Sequence, residues 1–269
     1  MYNQLPVANG GTGLSTATGA LIGAGTTISA VAAGTANNVL TSNGTTWVSA
    51  AAQGGPAPVV TIYTSPATWT KSPTVKFVKV TVVGGGGGGA AFLSSPAGPG
   101  RWAAGAGGAG IGFFPSPSIP GPATVTVGIA GTGGGSASSG NPGGSSSFGS
   151  LITATGGGGV VYASPSAGQT FGAGGSVTPS PQIYGVQGQP GGMNMVLGYI
   201  PASPAPTTIA IYAGGNTGFG FGFGGNSNDG FVTGPNSAMP AIGYGSGGSY
   251  GSPTGRSGTG GIVIVEEFY

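Results

Sequence analysis

The sequence predicts an all-β fold with extensive irregular glycine-rich loops. Two stretches, "PVVTIYTS" (58–65) and "VKFVKVTVV" (75–83), alternate apolar and polar residues and are rich in Val, Ile, Thr and aromatic residues, as half-buried strands are. Glycine and proline interrupt every window of about 12 residues, so long helices are not expected. The 64 Gly and 22 Pro make up about a third of the 269 residues, without a strict Gly-X-Y period.

Charge density separates this composition from that of ordinary disordered chains. Disordered segments combine low hydrophobicity with high net charge, whereas this chain has five basic and three acidic residues and a net charge of +2. A protein with so few surface charges is poorly soluble as a monomer, which indicates that it functions inside an assembly. Its basic residues do not cluster, so the sequence does not predict a nucleic-acid partner.

The chain divides into two regions, which we predict as domains 1–55 and 56–269. The first region has no charge and is rich in Ala, Thr, Gly, Asn and Ser. Within it, "VLTSNGTTWVSA" predicts a hairpin, with strands at 39–41 and 46–49 and a turn at Asn43–Gly44. The linker "QGGPAPV" (53–59) marks the boundary, after which the pattern changes to longer alternating strands.

The second region repeats a pattern in which an alternating strand runs into a glycine tract. Examples are "VKVTVVGGGGGG" (78–89), "ATVTVGIAGTGGG" (123–135) and "TTIAIYAGGNTG" (207–218). The tracts have three interpretations: tight loops with glycine at positive φ, which we favour; polyglycine II helices held together by backbone hydrogen bonds; or flexible linkers. These structures can coexist in different tracts.

The few charged residues predict how the ends of the second region meet. Lys71, Lys76 and Lys79 lie on or near its first strands, while Glu266 and Glu267 lie on its last strand. Opposite charges that face each other across an antiparallel pair stabilise a sheet. We therefore expect strand 76–83 to neighbour strand 261–268, with the glycine-rich body inserted between them; the alternative is that these charges are solvated strand ends.

No constellation of catalytic residues is present in the sequence. The chain contains neither His nor Cys, which rules out the nucleophilic triads that depend on them. "GGGGGG" has no following Lys-Ser/Thr and no helix, so it is not a phosphate-binding loop. The sequence therefore predicts that the protein is not an enzyme and that it needs neither a cofactor nor a metal.

Aromatic residues between the glycines are the candidate binding residues. Large aromatic side chains bury much area at low entropic cost, which suits recognition surfaces. In "GFGFGFGG" (218–225), an extended backbone would place Phe219, Phe221 and Phe223 on one face, where they could form either a small core or a contact stripe. The candidate receptor-binding residues are Trp102, Phe113, Phe114, Tyr162, Tyr199, Phe219, Phe221, Phe223, Tyr244 and Tyr250.

Two segments resemble bacteriophage tail-fibre proteins. "LPVANGGTGLSTATGALIGAG…NNVLTSNGTTWVSA" resembles the segment that precedes the distal domains of such fibres. "ATWTKSPTVKFVKVTVVGGGGGG…GGSSSFGSLITATGGGG…GGIVIVEEFY" resembles the glycine-rich terminal domain of phage fibres and adhesins. Some of these adhesins have tips of packed polyglycine II helices.

The resemblance implies an intertwined homotrimer in the virion tail fibre that recognises a bacterial surface receptor, either a polysaccharide or an outer-membrane protein. It also implies attachment to the phage tail or an adaptor protein through residues 1–55, which lack the longer N-terminal region of a typical fibre. The alternative function is a structural fibre connector or virion decoration protein without receptor contact.

Overall fold

The computed structural model describes residues 18–24, 27–52, 55–90, 103–135, 138–162, 170–178, 181–200, 207–229, 240–251 and 254–269. The chain forms two compact units, which meet in sequence between Pro56 and Ala57. The secondary structure of the described residues is mostly β, as the sequence predicted, with two short 3-10 helices at Ser116–Ser118 and Gly218–Gly220. No helix in these residues is long and apolar enough to cross a membrane.

The β-strands of the described residues are short. In chain order they are β1 Ala20–Ala24, β2 Thr27–Val31, β3 Asn38–Ser42, β4 Trp47–Ala51, β5 Val59–Tyr63, β6 Ala67–Trp69, β7 Phe77–Val83, β8 Ala109–Pro115, β9 Ala123–Thr126, β10 Ser146–Phe148, β11 Ile152–Ala154, β12 Ile183–Val186, β13 Gly192–Ile200, β14 Thr207–Ala213, β15 Gly222–Phe223, β16 Asn226–Asp229, β17 Ile242–Gly243 and β18 Ile262–Phe268.

The described part of the first unit forms two antiparallel hairpins, β1–β2 and β3–β4. The second is the hairpin that the sequence predicted. Its turn is closed by Asn43, whose side-chain Oδ1 accepts hydrogen bonds from the N–H groups of Thr45 and Thr46 at 3.0 and 2.8 Å. Gly44 has φ +90°, a conformation that a side chain would disfavour. Leu21, Val39, Leu40 and Trp47 remain exposed in this unit.

One part of the second unit is a sandwich of two antiparallel sheets. The larger sheet has the order β12-β8-β7-β18-β5, and the smaller one has the order β11-β10-β9-β6. β10 and β11 pack on β7, β8 and β18. The core between the sheets is filled by alternate side chains of these strands, namely Trp69, Val78, Val80, Val82, Phe114, Val125, Phe148, Ile152, Val263 and Val265.

The predicted pairing of the first and last strands is confirmed. β7 and β18 are antiparallel neighbours, and their register sets Lys79 opposite Glu266. Lys79 Nζ lies 2.6 Å from Glu266 Oε2, and both side chains are partly exposed, so the pair contributes at most about 1 kcal/mol. Lys71 has a different role, because its ammonium group donates to the backbone carbonyls of Ser116 and Ile119, each at 3.1 Å.

The strands of the sandwich continue into glycine-rich tracts of irregular backbone. We number eleven such tracts in the described residues in chain order: 84–90, 103–108, 127–135, 138–145, 155–160, 171–176, 187–191, 214–217, 224–225, 245–250 and 255–261. Tracts 1, 3, 5 and 7 directly follow β7, β9, β11 and β12, whereas tracts 2, 4 and 11 lead directly into β8, β10 and β18.

Tract 1 is enclosed by six other tracts. Its N–H groups donate in rotation to tracts 2, 4 and 11, which run antiparallel to it, over donor–acceptor distances of 2.8–3.0 Å. Its carbonyl groups accept from tracts 3, 5 and 10, which run parallel to it. The donor and acceptor pairs are Gly84 with Gly108, Gly85 with Gly144, Gly86 with Thr259, Gly87 with Gly105, Gly88 with Asn141 and Gly89 with Arg256.

The bonding partner therefore repeats every three residues, which is the period of a polyglycine II helix. Tract 2 is enclosed in the same way by tracts 1, 5, 6, 7, 8 and 10. These hydrogen bonds arrange the tracts in three layers. The first layer contains tracts 4, 5 and 6 in that order, the middle layer contains tracts 3, 1, 2 and 7, and the third contains tracts 11, 10 and 8. Tract 9 is hydrogen-bonded to tracts 8 and 10. We call this assembly the glycine lattice.

The sequence interpretation that favoured tight loops is wrong for the lattice interior. None of the residues Gly84–Gly89 has φ in the left-handed region. Glycine is required there by close approach instead, since a Cβ at Gly87 or Gly88 would overlap the carbonyl oxygen of Gly158 or Thr132. The Cβ direction also repeats every three residues, pointing in turn at tracts 5, 3 and 10. Outer tracts accordingly place glycine at every third position, as at 128, 131 and 134, and at 255, 258 and 261.

Replacement of an interior glycine tests this packing. We expect Gly88→Ala to lower the free energy of unfolding by about 3 kcal/mol, because the methyl group would displace the backbone of tract 3. The matched control is Gly121→Ala, where a Cβ would meet no atom within 4 Å and the change should stay within about 0.5 kcal/mol. Denaturant unfolding of both variants measures the difference, and equal stabilities would contradict the close-packed lattice.

A buried carboxylate links the last strand to the sandwich core. Glu267 is 8% exposed; its Oε1 accepts from Trp69 Nε1 and its Oε2 from the Tyr269 hydroxyl, both at 3.1 Å. Burial, and then the charge of Glu267, raise the pKa of Tyr63. Burial, followed by the hydrogen bond and charge of Glu267, raises the pKa of Tyr269 despite an opposing hydrogen bond from Ser72. The folded state thus favours the protonated form of both phenols.

This arrangement predicts an alkaline loss of stability. Because the folded-state pKa values of Tyr63 and Tyr269 lie above the ordinary value of about 10, their contribution is present below that pH and is lost as the pH rises through the folded values. Glu267→Gln removes the charge, so tyrosinate absorbance should develop at lower pH than in the wild type. Glu266→Gln is the control, since this side chain lies on the opposite face of β18; identical titration curves for the two variants would refute the assignment.

Candidate functional site

The candidate functional site is the end of the glycine lattice that lies away from the sandwich, which we call the distal pole. There the first and last residues of the tracts lie side by side, because Gly89 bonds to Arg256, Gly134 to Gly89, and Gly255 to Gly134. Tracts 4 and 5 meet at the same level, where Gly140 donates to Val160. The alternating directions of the tracts bring the last residues of tracts 1, 3, 5 and 10 and the first residues of tracts 2, 4, 6 and 11 to this one pole.

The side chains that the structure places at the distal pole are few and varied. Val161 is half-exposed, and its backbone forms an isolated antiparallel bridge with Thr170. Phe171 is 41% exposed, and Arg256 is exposed at the start of tract 11. The hydroxyl of Ser139 accepts a hydrogen bond from the Tyr162 N–H at 2.8 Å. The distal pole thus presents a partly exposed aromatic ring, an aliphatic side chain, a cation and a hydroxyl group.

The predicted aromatic residues do not form one surface. Tyr162 and Tyr250 lie at the distal pole, where Tyr250 is buried and Tyr162 is partly exposed. Trp102 lies outside the described residues, although it directly precedes tract 2, and the side chain of Tyr199 on β13 is likewise outside the description. The remaining predicted residues lie at or near the sandwich end of the lattice, namely Phe113, Phe114, Phe219, Phe221, Phe223 and Tyr244.

Neighbouring Phe113 and Phe114 have opposite environments. They are successive residues of β8, so their side chains point to opposite faces of the sheet. Phe114 is 2% exposed and belongs to the sandwich core, whereas Phe113 is 52% exposed. Phe114 and the buried Tyr250 are therefore corrected from candidate contact residues to packing residues.

The extended stripe predicted for "GFGFGFGG" is not observed. The 3-10 helix Gly218–Gly220 interrupts the segment, and Phe219 adopts a positive φ of 57°. Phe221 packs on a small cluster of Val83, Ala109 and Ile262, while Phe219 lies with its ring centroid 5.7 Å from that of Tyr184. The three phenylalanines consequently divide between packing and exposure.

Several exposed residues of potential function were missed by the sequence reasoning. Arg256 and Phe171 are not among the candidate receptor-binding residues that the sequence predicts. The sequence signal for both residues is the spacing of glycine at every third position in tracts 6 and 11. Where these glycines face the lattice interior, the side chains of residues between them can point outward. Among the described residues, no group of three or more His, Cys, Asp or Glu side chains could hold a metal ion.

Substitutions in "GFGFGFGG" separate packing from exposure. We expect Phe221→Ala to lower the free energy of unfolding by about 2 kcal/mol, since its ring covers the cluster at the junction of strands and lattice. Phe223 is 58% exposed, so Phe223→Ala should change stability by no more than about 0.5 kcal/mol. Thermal or denaturant unfolding provides the measurement, and a larger loss for Phe223→Ala would reverse the two roles.

The comparison with known protein families agrees with the architecture of the second unit. No curated protein matches the chain significantly. A family model described as a glycine-rich domain matches residues 61–267, which include both sheets of the sandwich and the tracts of the lattice. The chain belongs to this glycine-rich domain family.

Proposed function

We propose that the protein is a bacteriophage tail-fibre protein that recognises a bacterial surface receptor through the distal pole. The observation that carries this proposal is the convergence of the tract ends at one pole of a hydrogen-bonded lattice. Binding residues are commonly carried on loops that a rigid scaffold positions. The order of fibre-like and glycine-rich motifs along the sequence supports placing this scaffold in the virion.

The lattice suits a protein that acts outside cells. Its cohesion comes from backbone hydrogen bonds in a buried interior, where each bond is protected from water. The chain contains no Cys, so its stability is independent of the redox state of the medium. We further propose that it assembles as a homotrimer and attaches to the tail or an adaptor protein through the first region, with a polysaccharide or an outer-membrane protein as the receptor.

A structural fibre connector without receptor contact is the second candidate function. It is favoured by exposed apolar side chains on the larger sheet of the sandwich, which lie at the other end of the second unit. A connector buries surfaces at both ends in the assembled particle, whereas a receptor-binding protein leaves the distal pole free. The two functions therefore differ in whether the distal pole is required for binding to cells.

Adsorption to host cells tests the proposal. Purified full-length protein should bind to susceptible bacteria and compete with phage adsorption. The double variant Phe171→Ser/Arg256→Ala should bind at least about tenfold more weakly, because it removes an aromatic contact and a cation from the pole. Phe223→Ser is the matched control, as it removes an exposed ring at the other end of the lattice and should bind like the wild type.

Two results of this adsorption experiment would contradict receptor binding at the distal pole. If the wild-type protein binds no strain that the phage infects, the connector function is favoured. If it binds but Phe223→Ser weakens binding as much as the double variant does, recognition is not located at the distal pole. Circular dichroism of each variant verifies that its fold is retained.

A further inference from the structure

The outer face of the five-stranded sheet is an exposed apolar surface beyond the cluster of Val83, Ala109 and Ile262, on which Phe221 packs. Side chains alternate along each strand, so those that point away from the core form rows across the sheet. One row contains Tyr184, Ile111, Thr81, Ile264 and Ile62, which stand opposite one another on the strands in the order β12-β8-β7-β18-β5. The next row contains Phe113, Lys79, Glu266 and Val60.

The exposure of these residues is high for a sheet face. Tyr184 is 67% exposed, Ile62 60%, Val60 55%, Phe113 52% and Phe77 40%. Phe77 stacks on Phe268 with ring centroids 4.4 Å apart, which extends the apolar surface along β7 and β18. We call the surface formed by Val60, Ile62, Phe77, Phe113 and Tyr184 the outer patch.

The size of the outer patch is that of an interface. Its five side chains expose roughly 500 Å² of mainly apolar area, if an aromatic residue contributes about 200 Å² when fully exposed. The largest apolar patch on a typical monomer is about 300–600 Å², and is often functional. A standard protein interface buries about 800 Å² on each partner, so the outer patch with its partly exposed neighbours supplies most of one side.

The charges on this face indicate what covers it. On the outward positions of the five strands the charged residues are Lys79 and Glu266, which neutralise each other at a distance of 2.6 Å. A strongly charged partner or an anionic membrane would require an unpaired charge to recognise. A surface that is apolar and neutral in itself can instead face an identical surface without like-charge repulsion.

We propose that the outer patch is a self-association surface, on which a second copy of this chain docks. Pairing of identical neutral patches removes the exposed apolar residues of both copies from water. The scarcity of charge in the whole sequence, with eight charged residues among 269, agrees with a protein that uses apolar contact to assemble. The proposal rests on the self-assembly proposed above and names its contact surface; it does not rest on receptor binding, because the outer patch lies at the sandwich end.

The absence of cysteine permits a direct test with single thiols in the full-length protein. Ile62→Cys places a thiol in the outer patch, and Ile129→Cys places one on tract 3, where the isoleucine is 74% exposed. If a second copy covers the patch, the thiol at position 62 should react with maleimide at least about tenfold more slowly than that at position 129. A short bismaleimide should also convert Ile62→Cys, but not Ile129→Cys, into covalent dimers.

Each other outcome overturns the proposal. Equal maleimide rates with monomeric products would mean that the outer patch is uncovered. Slow labelling of Ile62→Cys without covalent dimers would mean that another part of the same chain covers the patch. Light scattering of the two variants and the wild type provides an independent measure of mass. A monomeric wild type would refute both the homotrimer and the outer patch, whereas a multimeric protein in which Ile62→Cys is labelled as fast as Ile129→Cys would refute the outer patch alone. Far-ultraviolet circular dichroism verifies that both variants retain the fold.

Discussion

Close contact between backbones is the constraint on which the second unit depends. In the lattice interior, the N–H groups of tract 1 reach carbonyl oxygens of three neighbouring tracts at 2.8–3.0 Å, and a Cβ atom at these positions would occupy the space of a carbonyl group. Glycine is entropically costly to order, but here it allows each backbone to bond to several neighbours at once. The ordering cost is opposed by a dense set of buried hydrogen bonds and by the sandwich, whose strands fix where most tracts begin or end. The sandwich is thus stabilised by packing of side chains, and the lattice by hydrogen bonds between main chains.

The sequence predicted the parts of the fold that depend on alternation and charge. The all-β class, the hairpin around Asn43–Gly44 and the pairing of β7 with β18 are confirmed, because each rests on a local signal or on the few charged residues available. The sequence does not single out the lattice, since six consecutive glycines are compatible with a loop, a linker or a polyglycine helix. What distinguishes these structures is long-range: tract 1 bonds to residues more than 150 positions away. The only local sign of that packing is the spacing of glycine at every third position in the outer tracts. This spacing can be recognised only when each tract is considered separately.

The candidate site was less predictable than the fold. Aromatic type alone does not determine exposure, as Phe113 and Phe114 show by pointing to opposite faces of β8. The segment "GFGFGFGG" did not follow strand alternation, because Phe219 takes a positive φ within a 3-10 helix and Phe221 covers the junction cluster. Arg256 and Phe171 become candidates only through their tracts, which end together at the distal pole. Site prediction in such a chain therefore requires the order of the tracts in space, which composition does not contain.

The antiparallel alternation around tract 1 has a consequence for how such a domain can change. Two tracts that follow each other in the chain and run antiparallel as neighbours, such as tracts 3 and 4, form a pair. Such a pair requires only inward-facing glycines and a length equal to that of the neighbouring tracts. Residues inserted between the two tracts of a pair leave the backbone hydrogen bonds of the lattice interior intact, because the insertion lies outside the hydrogen-bonded part of both tracts. Loop closure becomes only slowly less favourable as a connection lengthens. The domain is thus suited to accept foreign peptides of varied length at one end, and short binding sequences grafted between tracts 3 and 4 would be displayed on a preformed support.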